Sequence, residues 1–260
     1  MELNRQPFPY PTRHKTMNII ILDTYEELSI RGAGFFIQTL ASNPAAVLGL
    51  ATGSTPIGVY QQLIEQYQAG QLDFSAVTTF NLDEYIGIHR DHPQSYYSFM
   101  QQELFQHINV SPENIHVPSG VEDNFGAYCQ WYEDAIIAAG GIDLQILGIG
   151  TDGHIAFNEP GTALGSRTHL TDLDQQTIID NARFFDSADN VPRRAITMGV
   201  ATIMDAREVI LLATGENKAV AIQAAIESPV GSEITASALQ NHPNVTFLLD
   251  SAAASLLTIH

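Results

Sequence analysis

Cysteine is almost absent from this sequence: Cys129 is the only one in 260 residues. A single thiol closes no intrachain disulfide and supplies no cysteine-based zinc site. Such usage is compatible with a reducing compartment such as the cytoplasm. Lysine is nearly as scarce, with Lys15 and Lys218 alone, and 11 basic residues face 29 acidic ones for a net charge of −18. That balance excludes a general nucleic-acid surface and an anionic-membrane surface, because both need a net positive face. No membrane-spanning run is present. The stretch 32–64 carries no charge, but Pro44, Pro56 and several small polar residues interrupt it. Nothing reads as a secretory leader either: Pro7, Pro9 and Pro11 punctuate the first sixteen residues, and no apolar segment accompanies them. Residues 1–16 are therefore expected to form a flexible N-terminal arm.

Apolar residues make up 45% of the chain, enough for a packed globule. No repeat, low-complexity tract or linker divides it, so residues 17–260 are expected to form a single α/β domain. Short apolar runs at 18–22, 46–51, 77–81, 144–149, 209–213 and 245–249 read as buried strands. Helices are expected over 24–41, from Pro56 to Gly70, over 96–107 and over 125–139. Strands this apolar, alternating with helices, predict a parallel sheet covered on both faces. Ligands of such sheets bind beyond the carboxyl ends of the strands.

Four segments sit at those ends. Thr52-Gly53-Ser54-Thr55-Pro56 joins a strand to a helix. Its free N–H groups and hydroxyls can cradle a phosphate, although an ordinary turn would look the same, and the Walker ending Gly-Lys-Ser/Thr is missing. Thr214-Gly215-Glu216-Asn217-Lys218 repeats the context and brings one of the two lysines to a helix start, where an anion would be welcome. Arg183 and Arg167 are further cations that can grip phosphate oxygens. Asn81-Leu82-Asp83-Glu84-Tyr85 places two adjacent carboxylates at a strand end. They can supply a general base or simply cap a helix. In Gly150-Thr151-Asp152-Gly153-His154, continued to Asn158-Glu159-Pro160, two carboxylates can gather around one imidazole. A metal site is the alternative there, weakened by the lack of a second histidine at ligand spacing. His89 and His92 lie in a polar loop and read as solvated. No Gly-x-Ser-x-Gly elbow supports a serine nucleophile.

In this order and context the four segments resemble the glucosamine-6-phosphate deaminase family, nearly throughout from residue 18 onward. The run Asp152-Gly153-His154-Ile155-Ala156-Phe157-Asn158-Glu159-Pro160 carries most of the specificity, and His92-Pro93-Gln94-Ser95-Tyr96-Tyr97-Ser98-Phe99 and Asn181-Ala182-Arg183-Phe184-Phe185 extend it. The resemblance implies a modified Rossmann-like parallel sheet sandwiched by helices, with a lid segment. It also implies conversion of glucosamine 6-phosphate and water to fructose 6-phosphate and ammonia, in the cytoplasm and without metal or organic cofactor. By residue matching, Asp83 is the base that moves a proton between carbons. His154, steered by Asp152 and Glu159, opens the sugar ring. Gly53, Ser54, Thr55, Arg183 and Lys218 hold the phosphate. The partner implied is a small sugar phosphate, and a homo-oligomer is compatible with the resemblance.

One departure is informative. Family members activated by N-acetylglucosamine 6-phosphate carry a serine pair and two basic residues after the Asn-Glu-Pro segment, and a longer C-terminus. The corresponding residues here are Thr162, Ala163, His169 and Thr171, and the chain stops at His260. Activation by that ligand is therefore expected to be absent. Two rival readings are a 6-phosphogluconolactonase, whose Asp-Gly-His segment continues as Ala-Ser-Leu-Phe-Pro, and a catalytically inert sugar-phosphate sensor. Against the sensor stand Asp83, Asp152, His154 and Glu159 together.

Overall fold

The computed structural model describes residues 16–182, 185 and 191–258. Apart from Thr16, the expected N-terminal arm lies outside them, as does Arg183. The chain opens with β1 (Thr16–Leu22) and α1 (Tyr25–Ser42). β2 (Val47–Leu50) leads into α2 (Ile57–Gln68), and β3 (Thr78–Asn81) into β4 (Asp83–Tyr85). α3 (Tyr96–Glu103), β5 (Ile115–His116), α4 (Phe125–Ala138) and β6 (Leu144–Leu147) follow. β7 (His169–Asp172), α5 (Gln175–Asn181), β8 (Arg194–Thr197) and α6 (Val200–Met204) come next, and then β9 (Glu208–Ala213), α7 (Ala219–Glu227) and β10 (Asn244–Asp250).

Local chemistry explains the helix limits. Thr24 caps α1 by accepting from the Glu27 N–H at 3.1 Å, while the Glu27 carboxylate reaches back to the Asp23 N–H at 3.0 Å. Leu28, Ala33, Phe36 and Leu40 then give α1 one buried stripe. α2 stops where Gly70 takes φ +72°. The helix expected over 96–107 is shorter than that. It breaks at Leu104 (φ −146°, ψ −62°) and resumes as one 3₁₀ turn, Phe105–His107. Leu104 and Phe105 are consecutive and both buried, and the break lets both face the core.

Seven parallel strands form the main sheet in the order β1-β10-β9-β6-β2-β3-β5. Every residue of β2 and β6 is buried. Successive side chains of a strand point to opposite faces, so both faces of the sheet are covered. The chain steps outward from β2 to β3 and β5, then returns to β6 on β2's other flank and continues to β9 and β10. The strand order therefore reverses between β2 and β6, and the loops leaving their carboxyl ends diverge. This is the position at which open α/β sheets form a ligand crevice.

A second sheet, absent from the sequence reading, stands beside the first: β4, β8 and β7 pair antiparallel. It has its own small core, in which Tyr85, Phe157, Leu173 and Ile178 take part. No helix among the described residues is long and apolar enough to cross a membrane.

Candidate active site

A cavity of about 630 Å³ occupies the crevice, lined by residues that follow β2, β3, β6 and β9. The loop after β2 contributes Gly53, at φ +93°, with Ser54 and Thr55, and turns directly into α2. Across the mouth, Gly215 opens the 3₁₀ turn Glu216–Lys218 ahead of α7. Both carboxylate oxygens of Asp250 accept from the Gly215 N–H, at 3.1 and 2.9 Å, and so fix this loop to the end of β10. Lys218 lines the cavity, and its Nζ donates to the Ile149 carbonyl at 2.7 Å, tying the loop to the segment that follows β6.

That segment is tightly built. The Gly150 N–H donates to the His154 carbonyl at 2.8 Å, closing a short turn. A β-carbon on Gly150 would come within 2.4 Å of the His154 ring, so only glycine allows the imidazole this position. Nδ1 of His154 lies 2.7 Å from Asp152 Oδ1 and 3.4 Å from Glu159 Oε2. Glu159 is itself buried, and its other oxygen accepts from the Asp174 N–H at 3.2 Å. Both carboxylates thus share one edge of the ring and stand behind it. His154 lines the cavity, and Nε2 remains as the nitrogen that can exchange a proton with a substrate. Burial pushes Asp152 up, but the hydrogen bond and charge of His154 outweigh it and hold the carboxyl below its usual range. The ligand atoms of Asp152, His154 and Glu159 lie within 4.8 Å of one another, so a divalent cation could also gather them. It would have to displace the Asp152–His154 contact, because Nδ1 cannot serve both.

Asp83 is the single carboxylate among the described cavity-lining residues, as Lys218 is the single lysine or arginine. Burial pushes the Asp83 carboxyl well above the usual range, and the neighbouring charge of Glu84 adds to the effect. Glu84, next along the strand, points the other way. Its carboxylate accepts from the N–H groups of Tyr85 (2.9 Å), Tyr96 (3.1 Å) and Tyr97 (3.2 Å), the last two of which open α3. Burial moves Glu84 up to about 7, with those three bonds pulling the other way. The two adjacent acids therefore divide the alternatives between them. Glu84 is the helix anchor, and Asp83 faces the cavity.

Of the remaining sequence candidates, Arg183 falls outside the described residues. Arg167 does not line the cavity, which corrects its reading as a phosphate ligand. It pairs with Asp205 and lies 3.7 Å from Glu133, because α4 and α6 present carboxylates closer than the cavity does. His89 and His92 are exposed, and His89 Nδ1 lies 3.3 Å from Asp91. Sequence reasoning missed the aromatic wall made by Tyr85, Tyr96, Phe157 and Phe185, in which the Tyr96 hydroxyl donates to that of Tyr85 at 3.2 Å. Their spacing along the chain carries no signal, since only the second sheet and α3 bring them together.

Known proteins resemble this chain over most of its length. Residues 26–247 match the model of a family described as glucosamine-6-phosphate isomerases/6-phosphogluconolactonase. A glucosamine-6-phosphate deaminase of Rhodopirellula baltica is 52% identical over 241 residues, which cover 93% of this chain and 96% of the relative. A solved monomeric glucosamine-6-phosphate deaminase superposes with a TM-score of 0.91 at 46% identity, over 93% of this chain and all of its own. A 6-phosphogluconolactonase from Trypanosoma cruzi shares the fold (TM-score 0.74, 24% identity, 96% of this chain and 100% of that one).

Proposed function

The chain belongs to the family of glucosamine-6-phosphate isomerases and 6-phosphogluconolactonases, and on that premise we propose that it isomerises and deaminates glucosamine 6-phosphate, giving fructose 6-phosphate and ammonia. It is an enzyme of amino-sugar breakdown. The observation that carries the assignment is Asp83, a buried carboxylate that faces the cavity alone among the described acids. Hydrolysing a lactone asks for an activated water and no hydrogen transfer between carbons. Isomerising an amino sugar asks for a base that takes a proton from one carbon and returns it to the next.

The steps distribute over the residues as follows. The sugar phosphate is held by the N–H groups and hydroxyls of Gly53, Ser54 and Thr55 and by the Lys218 ammonium, with Arg183 joining them. His154 Nε2 takes the proton of the anomeric hydroxyl and delivers one to the ring oxygen, opening the ring. Asp152 and Glu159 fix the tautomer and stabilise the imidazolium. Asp83 then removes the C2 proton while the C1 oxygen takes a proton from the substrate's ammonium, giving an enolamine, and Asp83 returns its proton to C1. The resulting C2 iminium adds water, and ammonia leaves as the C2 carbonyl forms. Acid–base catalysis and one hydration suffice for this sequence, so no cofactor is invoked. Thr177 of α5 and Phe185 line the cavity, and the lid role falls to this segment. Cytoplasmic localisation is part of the same reading.

Asp83→Asn tests it. Ammonia release from glucosamine 6-phosphate is expected to fall by about 10²–10⁴-fold, the usual contribution of a positioned base. Competitive inhibition by inorganic phosphate should persist. Unchanged turnover would remove Asp83 from the chemistry, and faster acid release from 6-phosphogluconolactone than ammonia release would favour the hydrolase.

A further inference from the structure

The loop 52–56 poses a structural problem that its own residues do not solve. α2 begins at Ile57, and its N-cap, Pro56, makes no side-chain capping bond. The first N–H groups of a helix have no partner within it. The Gly58 N–H is one of them, and it finds its acceptor 33 residues away, donating to the phenolic oxygen of Tyr25 at 2.8 Å. That same hydroxyl donates its single proton across the Ser54 and Thr55 carbonyls, at 3.1 and 3.0 Å. Tyr25 is the first residue of α1, whose preceding threonine cap fixes its start. One hydroxyl therefore bolts the loop and the first turn of α2 to the start of another helix.

The consequence is directional. In a planar trans peptide the C=O and the following N–H point opposite ways. With the Ser54 carbonyl turned to Tyr25, the Thr55 N–H is turned away from it. Ser54 and Thr55 line the cavity, and Tyr25 does not. The brace thus draws two partially negative carbonyl oxygens to the outer side and leaves the Thr55 N–H for an anion. We propose that Tyr25 is a positioning residue for phosphate binding, acting only through the orientation of the loop and touching neither substrate nor reacting atoms. The proposal rests on the reading of 52–55 as the phosphate loop.

Tyr25→Phe deletes the hydroxyl and little else. KM for glucosamine 6-phosphate and the competitive inhibition constant of inorganic phosphate are both expected to rise about 3- to 10-fold, the scale of one lost net hydrogen bond. kcat should change less than about twofold. A purely structural contribution would instead lower the active fraction, and hence kcat, without moving either constant. Lys218→Ala, assayed in parallel, separates the two layers. If phosphate competes with substrate and Lys218→Ala weakens it while Tyr25→Phe does not, the brace is wrong and the phosphate loop stands. If phosphate does not compete in the wild type, the phosphate reading falls and takes the brace with it. Should the phenylalanine variant not fold, amide exchange in the wild-type protein decides: a Gly58 N–H that exchanges as fast as an unbonded amide overturns the proposal, and a protected one supports it.

Discussion

Asp83 and Glu84 show how far one residue's step along a strand separates two identical chemistries. Burial, with the Glu84 charge adding to it, raises the proton affinity of the Asp83 carboxyl, which a base for a weakly acidic C–H requires. Glu84 spends both oxygens on the backbone of α3's first turn, and burial still lifts it to about 7. The sign of the stability effect follows. A carboxyl raised in the folded state binds more protons there than in the unfolded chain between its ordinary value of 4.5 and about 7. Its contribution is therefore fully present below the lower value and is lost as pH rises through the upper one. Glu84→Gln should flatten the decline in stability across this window by on the order of 1–3 kcal/mol. Removing the like charge beside Asp83 should also shift the acid limb of the kcat profile to lower pH. Denaturant titrations from pH 4.5 to 7 and the pH–rate profile check both, and parallel curves for wild type and variant would contradict the coupling. The sequence shows two adjacent acids here and no division of labour. The division depends on which face of β4 meets α3, and that contact is not local.

At the level of elements, six of the seven parallel strands were readable because they lie in largely apolar runs, as β2, β6 and β9 do, whereas β5, two half-buried residues (Ile115–His116), carries no such signal. The second sheet was not readable either. Asp83–Tyr85, His169–Asp172 and Arg194–Thr197 are three or four residues long and partly polar, and Asp83–Tyr85 finds its partner strand more than a hundred residues further along the chain. Loop 52–56 was visible as a run of small residues between an apolar run and a helix, and 148–154 by its three glycines after another apolar run, although an ordinary turn would look the same in either place. The seam where those loops diverge has its own requirement. Gly49 of β2 pairs with Gln145 of β6, and a β-carbon at Gly49 would come within 2.0 Å of the Gln145 side-chain oxygen. Gln145 is fully buried, and its amide donates to the Ile146 carbonyl at 2.8 Å, so it has nowhere to withdraw. Gly49→Ala is expected to destabilise the fold by about 1–3 kcal/mol through overpacking. Gly49→Ala combined with Gln145→Ala should be more stable than the sum of the single changes, since the clash is with a side chain. Chemical denaturation of the three variants measures this, and additive losses would show that the seam is not the source.

On the scale of the whole molecule, a net charge of −18 makes every cation's placement informative. Most described cations are already committed. Arg207 grips Asp143 at 2.8 Å and the Gly140 carbonyl at 2.8 Å, Arg194 lies 3.3 Å from Asp172, and the Arg90 guanidinium sits 3.8 Å above the Tyr97 ring. Lys218 alone among the described lysines and arginines reaches the cavity. This bears on regulation. A second sugar phosphate bound near 162–171 would need fixed positive charge, because neutral donors grip a phosphate dianion far more weakly than a guanidinium fork. The one arginine in that stretch, Arg167, is paired with Asp205 and Glu133, and the ring of His169 is bonded through Nδ1 to the Arg167 carbonyl at 2.8 Å. Thr162 and Thr171 offer hydroxyls, and Ala163 offers nothing. Releasing Arg167 would strand the Glu133 carboxylate, whose Oε1 also anchors Thr168 and Thr202 at 2.6 Å. Saturation by glucosamine 6-phosphate is therefore expected to be hyperbolic, with the same half-saturation in the presence and absence of N-acetylglucosamine 6-phosphate at concentrations below those at which it competes for the cavity. Initial-rate curves at fixed enzyme concentration test this. A sigmoidal curve that the acetylated sugar converts to a hyperbola would show that a second anion site exists and that the charge inventory has overlooked its cations.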